Sequence, residues 1–264
     1  MGEKGNDWLI SSQVLNPEAN TRNRSVILIH GFVGSPFDFK PLAEPLCNKG
    51  FRVVIPVVPE QTKATPAFKR GKYTPEKYIK WLSEIVDDET KLFNKKPFLA
   101  GFSMGGALST VVAARGTVDK LVLLAPFYSL PNANDLLWAV SRVLRWGIPV
   151  VPKFTRGKIN DPEGYKRYAP GSYAISLNAF RELQELAVVA KESIEMISIP
   201  VLILGSPHDE VASFSVTKEL FGSKSNTSIR EFPESNHILL YDFDHRQIIQ
   251  NILEFLINDE SVLQ

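Results

Sequence analysis

Cysteine is nearly missing from this chain of 264 residues. Cys47 stands alone, which excludes an internal disulfide, and without three other metal-type ligands near it there is no Cys/His zinc framework. A reducing compartment, the cytoplasm, is the expected location. An excess of one charge is missing too. Thirty Lys and Arg stand against 29 Asp and Glu, a net charge of +1, so nothing global recruits nucleic acid or an anionic membrane surface. No stretch approaches about 18 uninterrupted apolar residues, and no integral membrane segment is expected. Met1 to Ile10 lack the apolar run and small-residue cleavage site of a secretory signal, so export is not expected. On that reading Asn23-Arg24-Ser25 and Asn226-Thr227-Ser228 match the glycosylation sequon by coincidence. Internal repeats and low-complexity tracts are absent as well.

What is present is a chain 44% apolar, 22% charged and 10% aromatic, able to bury a large core as one α/β domain or two small ones. Short runs rich in Val, Ile and Leu alternate with longer amphipathic segments, the pattern of a parallel sheet covered by helices on both faces. Buried strands are expected at about Ser25 to His30, Arg52 to Pro56, Pro97 to Gly101, Lys120 to Ala125, Val201 to Gly205 and Ser228 to Phe232. An edge strand is expected near Trp8 to Leu15. Helices are expected over Phe39 to Asn48, Pro75 to Phe93, Gly105 to Arg115, Ser213 to Phe221 and Asp244 to Ile257. Between about Phe127 and Ile199 the alternation stops. That stretch holds helical patterns, including an apolar stripe of Leu136, Leu137, Val140, Val143 and Leu144, and no convincing buried strand. It reads as an insertion.

Gly101-Phe102-Ser103-Met104-Gly105 joins an apolar strand to a helix start. The bare G-x-S-x-G spacing recurs by chance in about one chain in ten at ordinary glycine usage, but a match between a buried strand and a helix is much rarer. The chemistry accounts for the glycines, because a nucleophile on a sharp strand-to-helix turn is strained and flanking side chains collide with backbone. Ser103 is thus the candidate nucleophile, at a helix N-terminus that favours developing negative charge.

A serine hydroxyl needs a base, and four histidines compete. His237 lies in a polar loop between the last expected strand and the last helix. His30 ends the first long strand, His208 precedes an aspartate, and His245 falls on the final helix, facing solvent. The acid that orients the base should come from another strand end, which Asp209 does directly after Val201-Leu202-Ile203-Leu204-Gly205, with Glu210 its nearest substitute. The order Ser103, Asp209, His237 is the one found in α/β-hydrolases. Oxyanion donors are expected from the N–H of Met104 and from that of Phe32 in the loop after the first long strand, where His30 orders the loop instead of acting as base.

These residues together resemble the α/β-hydrolase fold family, in particular its small carboxylesterases and monoacylglycerol-lipase-like members. The resemblance spans about residues 25 to 257 and rests on Leu28-Ile29-His30-Gly31-Phe32, Gly101-Phe102-Ser103-Met104-Gly105-Gly106, Asp209-Glu210-Val211 and Asn236-His237. It implies an α/β-hydrolase fold with a mostly parallel central sheet flanked by helices and a helical cap inserted after the sixth strand. On that reading residues 1–126 and 199–264 form the core and residues 127–198 the cap. It also implies Ser103 as nucleophile, His237 as base, Asp209 as its partner, Phe32 and Met104 as oxyanion donors, and no metal or organic cofactor. Relatives often carry Gly-His-Gly after the second long strand, whereas this chain reads Pro59-Glu60-Gln61-Thr62, which changes the rim of the site. The cap is rich in apolar residues, among them Phe127, Trp138 and Trp146, which are expected to line an acyl pocket.

The expected activity is hydrolysis of small-molecule carboxylic esters of short to medium acyl chains through an acyl-enzyme. The same triad also serves thioesterases, amidases and acyltransferases, and the fold has non-catalytic ligand-binding members. Nothing in the residues sets the oligomeric state.

Overall fold

The computed structural model describes residues 8–18, 23–131, 150–152 and 157–258. Seven strands form one sheet: β1 Gln13–Leu15, β2 Ser25–Ile29, β3 Arg52–Ile55, β4 Phe98–Phe102, β5 Lys120–Leu124, β8 Val201–Gly205 and β9 Thr227–Glu231. Their order is β1-β3-β2-β4-β5-β8-β9, with β1 antiparallel to β3 and every other pair parallel.

The strand sequences explain the layers. Ile27, Leu99, Leu121, Leu123, Val201 and Ile203 pack on one face, while Val26, Leu28, Ala100, Val122, Leu202 and Leu204 pack on the other. Both sets are fully or almost fully buried, so side chains alternating across the pleat meet a core either way and the strands read as unbroken apolar runs. Helix α1 Lys40–Asn48 and helix α7 His245–Ile257 cover the second face through Leu42, Leu46, Ile248 and Ile252. Helices α2 Pro75–Phe93 and α3 Met104–Ala113 cover the first, through Leu82, Val86, Leu108 and Val112. Helix α6 Phe214–Phe221 joins them with Phe214 and Phe221.

The segment between β5 and β8 departs from expectation in two ways. Among the described residues β5 is the fifth strand in chain order, so the insertion follows the fifth strand and not the sixth. Nor is it purely helical, since β6 Val150–Pro152 pairs antiparallel with β7 Ala174–Ser176 as a separate two-stranded sheet beside the short helix α4 Pro162–Arg167. Three-residue strands are too short to show a period-two pattern, which is why the sequence shows no convincing strand there. Helix α5 Leu177–Ser193 then returns to the main body, where Leu183, Leu186, Ala187 and Ala190 share the core with α3. Trp138 and Trp146, and the apolar stripe from Leu136 to Leu144, lie outside the described residues.

Candidate active site

Parallel sheets leave a crevice at the carboxyl ends of their strands, where successive loops converge. Here the loops after β2, β4, β8 and β9 bring Phe32, Ser103, Asp209 and His237 to that edge. Ser103 occupies the single-residue turn between β4 and α3 with φ 53° and ψ −118°, a conformation that costs on the order of 1–3 kcal/mol for a residue with a side chain. The surroundings fix it. Its N–H donates to Leu124 O at 3.0 Å, and its carbonyl accepts from Gly106, Ala107 and Phe127 at 2.9, 3.2 and 3.0 Å. The flanking glycines are required by contact, since a Cβ on Gly105 would stand 2.0 Å from Ile29 O and one on Gly101 2.2 Å from Gly105 O. Val33 (φ 48°), in the loop after β2, and Ala125 (φ 41°), directly after β5, also have positive φ, as do Asn23, Glu60 and Asn94 elsewhere in the chain.

His237 Nε2 lies 3.0 Å from Ser103 Oγ, and His237 Nδ1 lies 2.8 Å from Asp209 Oδ2. All three side chains are buried, at 5%, 5% and 7% residue exposure for Ser103, His237 and Asp209. Asp209 is itself oriented, because its other oxygen accepts the N–H groups of Val211 and Ala212 at 2.7 and 2.9 Å. Facing a carboxylate, Nδ1 carries the ring hydrogen, which leaves the Nε2 lone pair to accept from the Ser103 hydroxyl. The Phe102 ring packs against the imidazole at 5.0 Å between centroids. Ser103, Asp209 and His237, about a hundred and thirty residues apart at the extremes, thus form one unbroken hydrogen-bonded line.

The other histidines are elsewhere. His30 is completely buried, its Nδ1–H donating to Gly31 O at 3.1 Å and its Nε2 accepting from Val58 N at 2.9 Å. Burial pushes its pKa down to about 4, so it is a neutral strut under the loop that follows β2. His208 is exposed. His245 opens α7 half-buried, its ring 2.7 Å from Asp242 O, and so does not simply face solvent.

The turn after β2 runs directly beside Ser103, since a Cβ on Gly31 would lie 3.3 Å from Ser103 Cβ. On either side of Phe32 the backbone donors are committed: Gly31 N to Asp38 Oδ2 at 3.1 Å and Val33 N to Gln61 Oε1 at 2.9 Å. Gln61 in turn donates to Tyr78 Oη at 2.8 Å. Met104 is the first residue of α3, and the first N–H groups of a helix have no acceptor within it.

A cavity of about 390 Å³ opens over Ser103 and His237. Phe32, Phe102 and Phe127 supply its core-side wall, and Ile175, Phe180 and Leu183 supply the wall from the segment after β5. Lys158 stands at it as the one described cation. The volume suits a small organic ligand and the lining is largely apolar. Among the described residues no group of three His, Cys, Asp or Glu could hold a metal ion, and no helix is long and apolar enough to cross a membrane.

Several residues at this site carry no sequence signal of their own. Asp38 receives Gly31 N and the Tyr168 hydroxyl (2.9 Å), joining the turn after β2 to the segment after β5. Burial and the adjacent Asp38 charge push the Tyr168 phenol well above its ordinary pKa, so it remains a donor. Gln61, in the stretch where Gly-His-Gly was absent, turns out to brace Val33.

Residues 20–244 match the family described as serine aminopeptidase, S33. The chain is 24% identical over 236 residues to a thermostable monoacylglycerol lipase of Bacillus sp. (strain H-257), covering 87% of this chain and 89% of that protein. It is 18% identical over 244 residues to a carboxylesterase of Bacillus subtilis (strain 168), covering 89% and 92%. Among solved structures, the monoacylglycerol lipase of Paleococcus ferrophilus superposes with a TM-score of 0.77 at 22% identity, over 93% of this chain and 97% of that one. The architecture is the α/β-hydrolase fold. Because the family match spans most of the sequence, from before β2 to the end of the loop that carries His237, this chain belongs to the serine aminopeptidase S33 family of hydrolases.

Proposed function

We propose that this protein hydrolyses carboxylic esters of short to medium acyl chains through an acyl-enzyme on Ser103. The observation that carries the proposal is the Asp209–His237–Ser103 line opening onto a largely apolar cavity. His237 Nε2 takes the hydroxyl proton as Ser103 Oγ bonds to the ester carbonyl carbon. The negative charge that forms on the carbonyl oxygen is received by the N–H groups of Phe32 and Met104. As the C–O bond to the alcohol breaks, His237 returns the proton to the leaving oxygen. Water, deprotonated by the same imidazole, then releases the acid and restores Ser103. These steps use side chains and backbone of this chain alone.

In this reading residues 127–198 are the cap, whose described residues Ile175, Phe180 and Leu183 close the acyl wall. The family description names a peptidase, and peptide hydrolysis is the rival reading. An aminopeptidase must pair the substrate's α-ammonium with an anion. Among the described lining residues the one carboxylate, Asp38, already receives Gly31 N–H and the Tyr168 hydroxyl. A carboxylate so committed favours an uncharged ester.

The test is labelling with a fluorophosphonate followed by a p-nitrophenyl ester panel of increasing acyl length, with matched thioesters, amides and an added alcohol acceptor. Ser103-dependent labelling and a preference for oxygen esters are expected. A protein that is not labelled, or that prefers the amides, overturns the reading.

A further inference from the structure

Asn236 precedes His237 in the loop between β9 and α7 and is 4% exposed. Its side-chain oxygen accepts two backbone hydrogens from different loops. One is the N–H of His237 at 2.9 Å, and the other is the N–H of Glu210, the residue after Asp209, at 3.2 Å. Its amide nitrogen donates to Glu210 Oε1 at 3.0 Å and to Asn160 Oδ1 at 3.3 Å. Two donors on one end and two acceptors on the other fix which way the amide points. Below it, the completely buried Asp242 accepts the backbone N–H of Asn236 at 2.8 Å, together with those of Asn160, Asp161 and Phe243 at 2.8–2.9 Å.

The sheet alone does not set the contact between Asp209 and His237. It places the ends of β8 and β9 side by side, but both residues sit in loops that extend beyond the ladder. One amide oxygen spans those loops next to the reacting pair. We infer that Asn236 is a positioning residue, which holds the loop of the acid and the loop of the base at the separation their hydrogen bond requires. The inference rests on the reading of Ser103, Asp209 and His237 as the catalytic set. Misplacing a reacting group by about 1 Å costs on the order of a hundred-fold in rate, so a clamp one residue from the base has leverage that its own chemistry does not supply. The same network reaches the cavity wall. Lys158 Nζ pairs with Glu210 Oε2 at 2.6 Å, and its carbonyl accepts Ile238 N–H at 3.1 Å. The Lys158 ammonium and the Asn236 amide hold the Glu210 carboxyl below its ordinary pKa.

The experiment compares Asn236→Ala, Asn236→Asp and Ser103→Ala with the native protein, reading kcat and KM for one ester across pH. It also reads the downfield proton resonance of a ring N–H shared with a carboxylate. Charged groups facing the pair are Asp209 and Glu210 from the loop after β8, Lys158 and Asp161 from the segment after β5, and Asp242 from the loop's own end. In Asn236→Ala the acid loop draws away from the imidazole. We expect kcat to fall about ten- to a hundred-fold with KM within about two-fold, the acidic limb of the profile to move to lower pH, and the resonance to move upfield. Asn236→Asp keeps an acceptor for both N–H groups and adds negative charge. It loses the two donations to Glu210 Oε1 and Asn160 Oδ1, so its rate should lie between those of Asn236→Ala and the native protein, and the added charge should move the acidic limb the opposite way.

A native rate and profile in Asn236→Ala overturns the inference. So does a loss of rate in which limb and resonance stay still, because that is what general loosening of the fold produces. If Asn236→Ala does not fold, Asn236→Ser, whose shorter side chain cannot reach both N–H groups, takes its place with the same expectations. Activity surviving in Ser103→Ala overturns the reading of the site itself, whatever the Asn236 variants do.

Discussion

The imidazole of His30 and the backbone of Val58 meet at 2.9 Å, ring nitrogen accepting from amide hydrogen, in a completely buried position between the loops after β2 and β3. Protonation of that nitrogen removes the acceptor and buries a charge. The folded pKa, about 4, lies below the ordinary 6.5, so between those two values the unfolded chain binds a proton that the folded chain does not. Stability is therefore complete above about pH 6.5 and is lost as pH falls toward 4, by on the order of 3 kcal/mol at the most. Urea unfolding at a series of pH values measures this. His30→Asn, with nothing to titrate, should be less stable at neutral pH and show a shallower fall on the acid side. An identical slope in native and variant protein would assign the acid sensitivity to other groups.

The line from Asp209 through His237 to Ser103 sets the kinetic expectations. Ser103→Ala should lose several orders of magnitude in kcat, as removal of a triad nucleophile does elsewhere, with KM little changed. Asp209→Asn should lose on the order of 10⁴, because an amide in that position no longer requires the hydrogen on Nδ1. Steady-state kinetics on a single ester, with thermal unfolding measured alongside, separates these losses from misfolding. Turnover within ten-fold of native in either variant removes that residue from the mechanism.

Gly105 and Gly116 make a contrast between crowding and conformation. A Cβ on Gly105 would stand 2.0 Å from the carbonyl of Ile29, a backbone atom in the middle of the sheet. Gly105→Ala must push α3 off β2 and is expected to cost more than about 3 kcal/mol or to abolish folding. Gly116 has φ +70° with nothing within 4 Å of where a Cβ would stand, so Gly116→Ala meets only the left-handed strain, about 1 kcal/mol. Chemical denaturation of the two variants should rank them accordingly. A Gly105→Ala protein of native stability would show that the nucleophile turn has more room than these contacts allow.

Much of this was legible in the residues because the physics was local or periodic. The parallel strands announce themselves as apolar runs since both their faces are buried, and α2 begins and ends where Pro75 and Phe93 led the periodicity to place it. The glycines around Ser103 report a steric demand met within a few residues. The clamps were not legible. Asp38, Gln61 and Asn236 act through one or two hydrogen bonds each to backbone N–H groups as far as 28 residues away, and a polar residue in a loop looks the same whether it braces a neighbour or faces water. The strands β6 and β7 were missed for a different reason, being three residues each and paired with one another instead of with the main sheet.

Arg70 is the most consequential residue of that illegible kind. It is 3% exposed, and its guanidinium donates to Thr62 O, Thr65 O, Ser172 Oγ and Ala174 O at 2.8–3.1 Å. Burial lowers its pKa, but the group remains a cation whose planar fork reaches two segments at once. Those segments are the loop that follows β3, containing Gln61, and the start of β7, whose Ile175 lines the cavity. A lysine has one ammonium where the fork has several donors, so Arg70→Lys leaves buried carbonyls unpaired at about 1–3 kcal/mol each. The variant should unfold at lower temperature and release the Ile175 wall from the core. Ser103 and His237 keep their own contacts. The fall in kcat/KM is therefore expected to grow with acyl length across a p-nitrophenyl ester series, being smallest for the acetyl ester. An equal fall at every length would mean that Arg70 supports the fold without shaping the acyl wall.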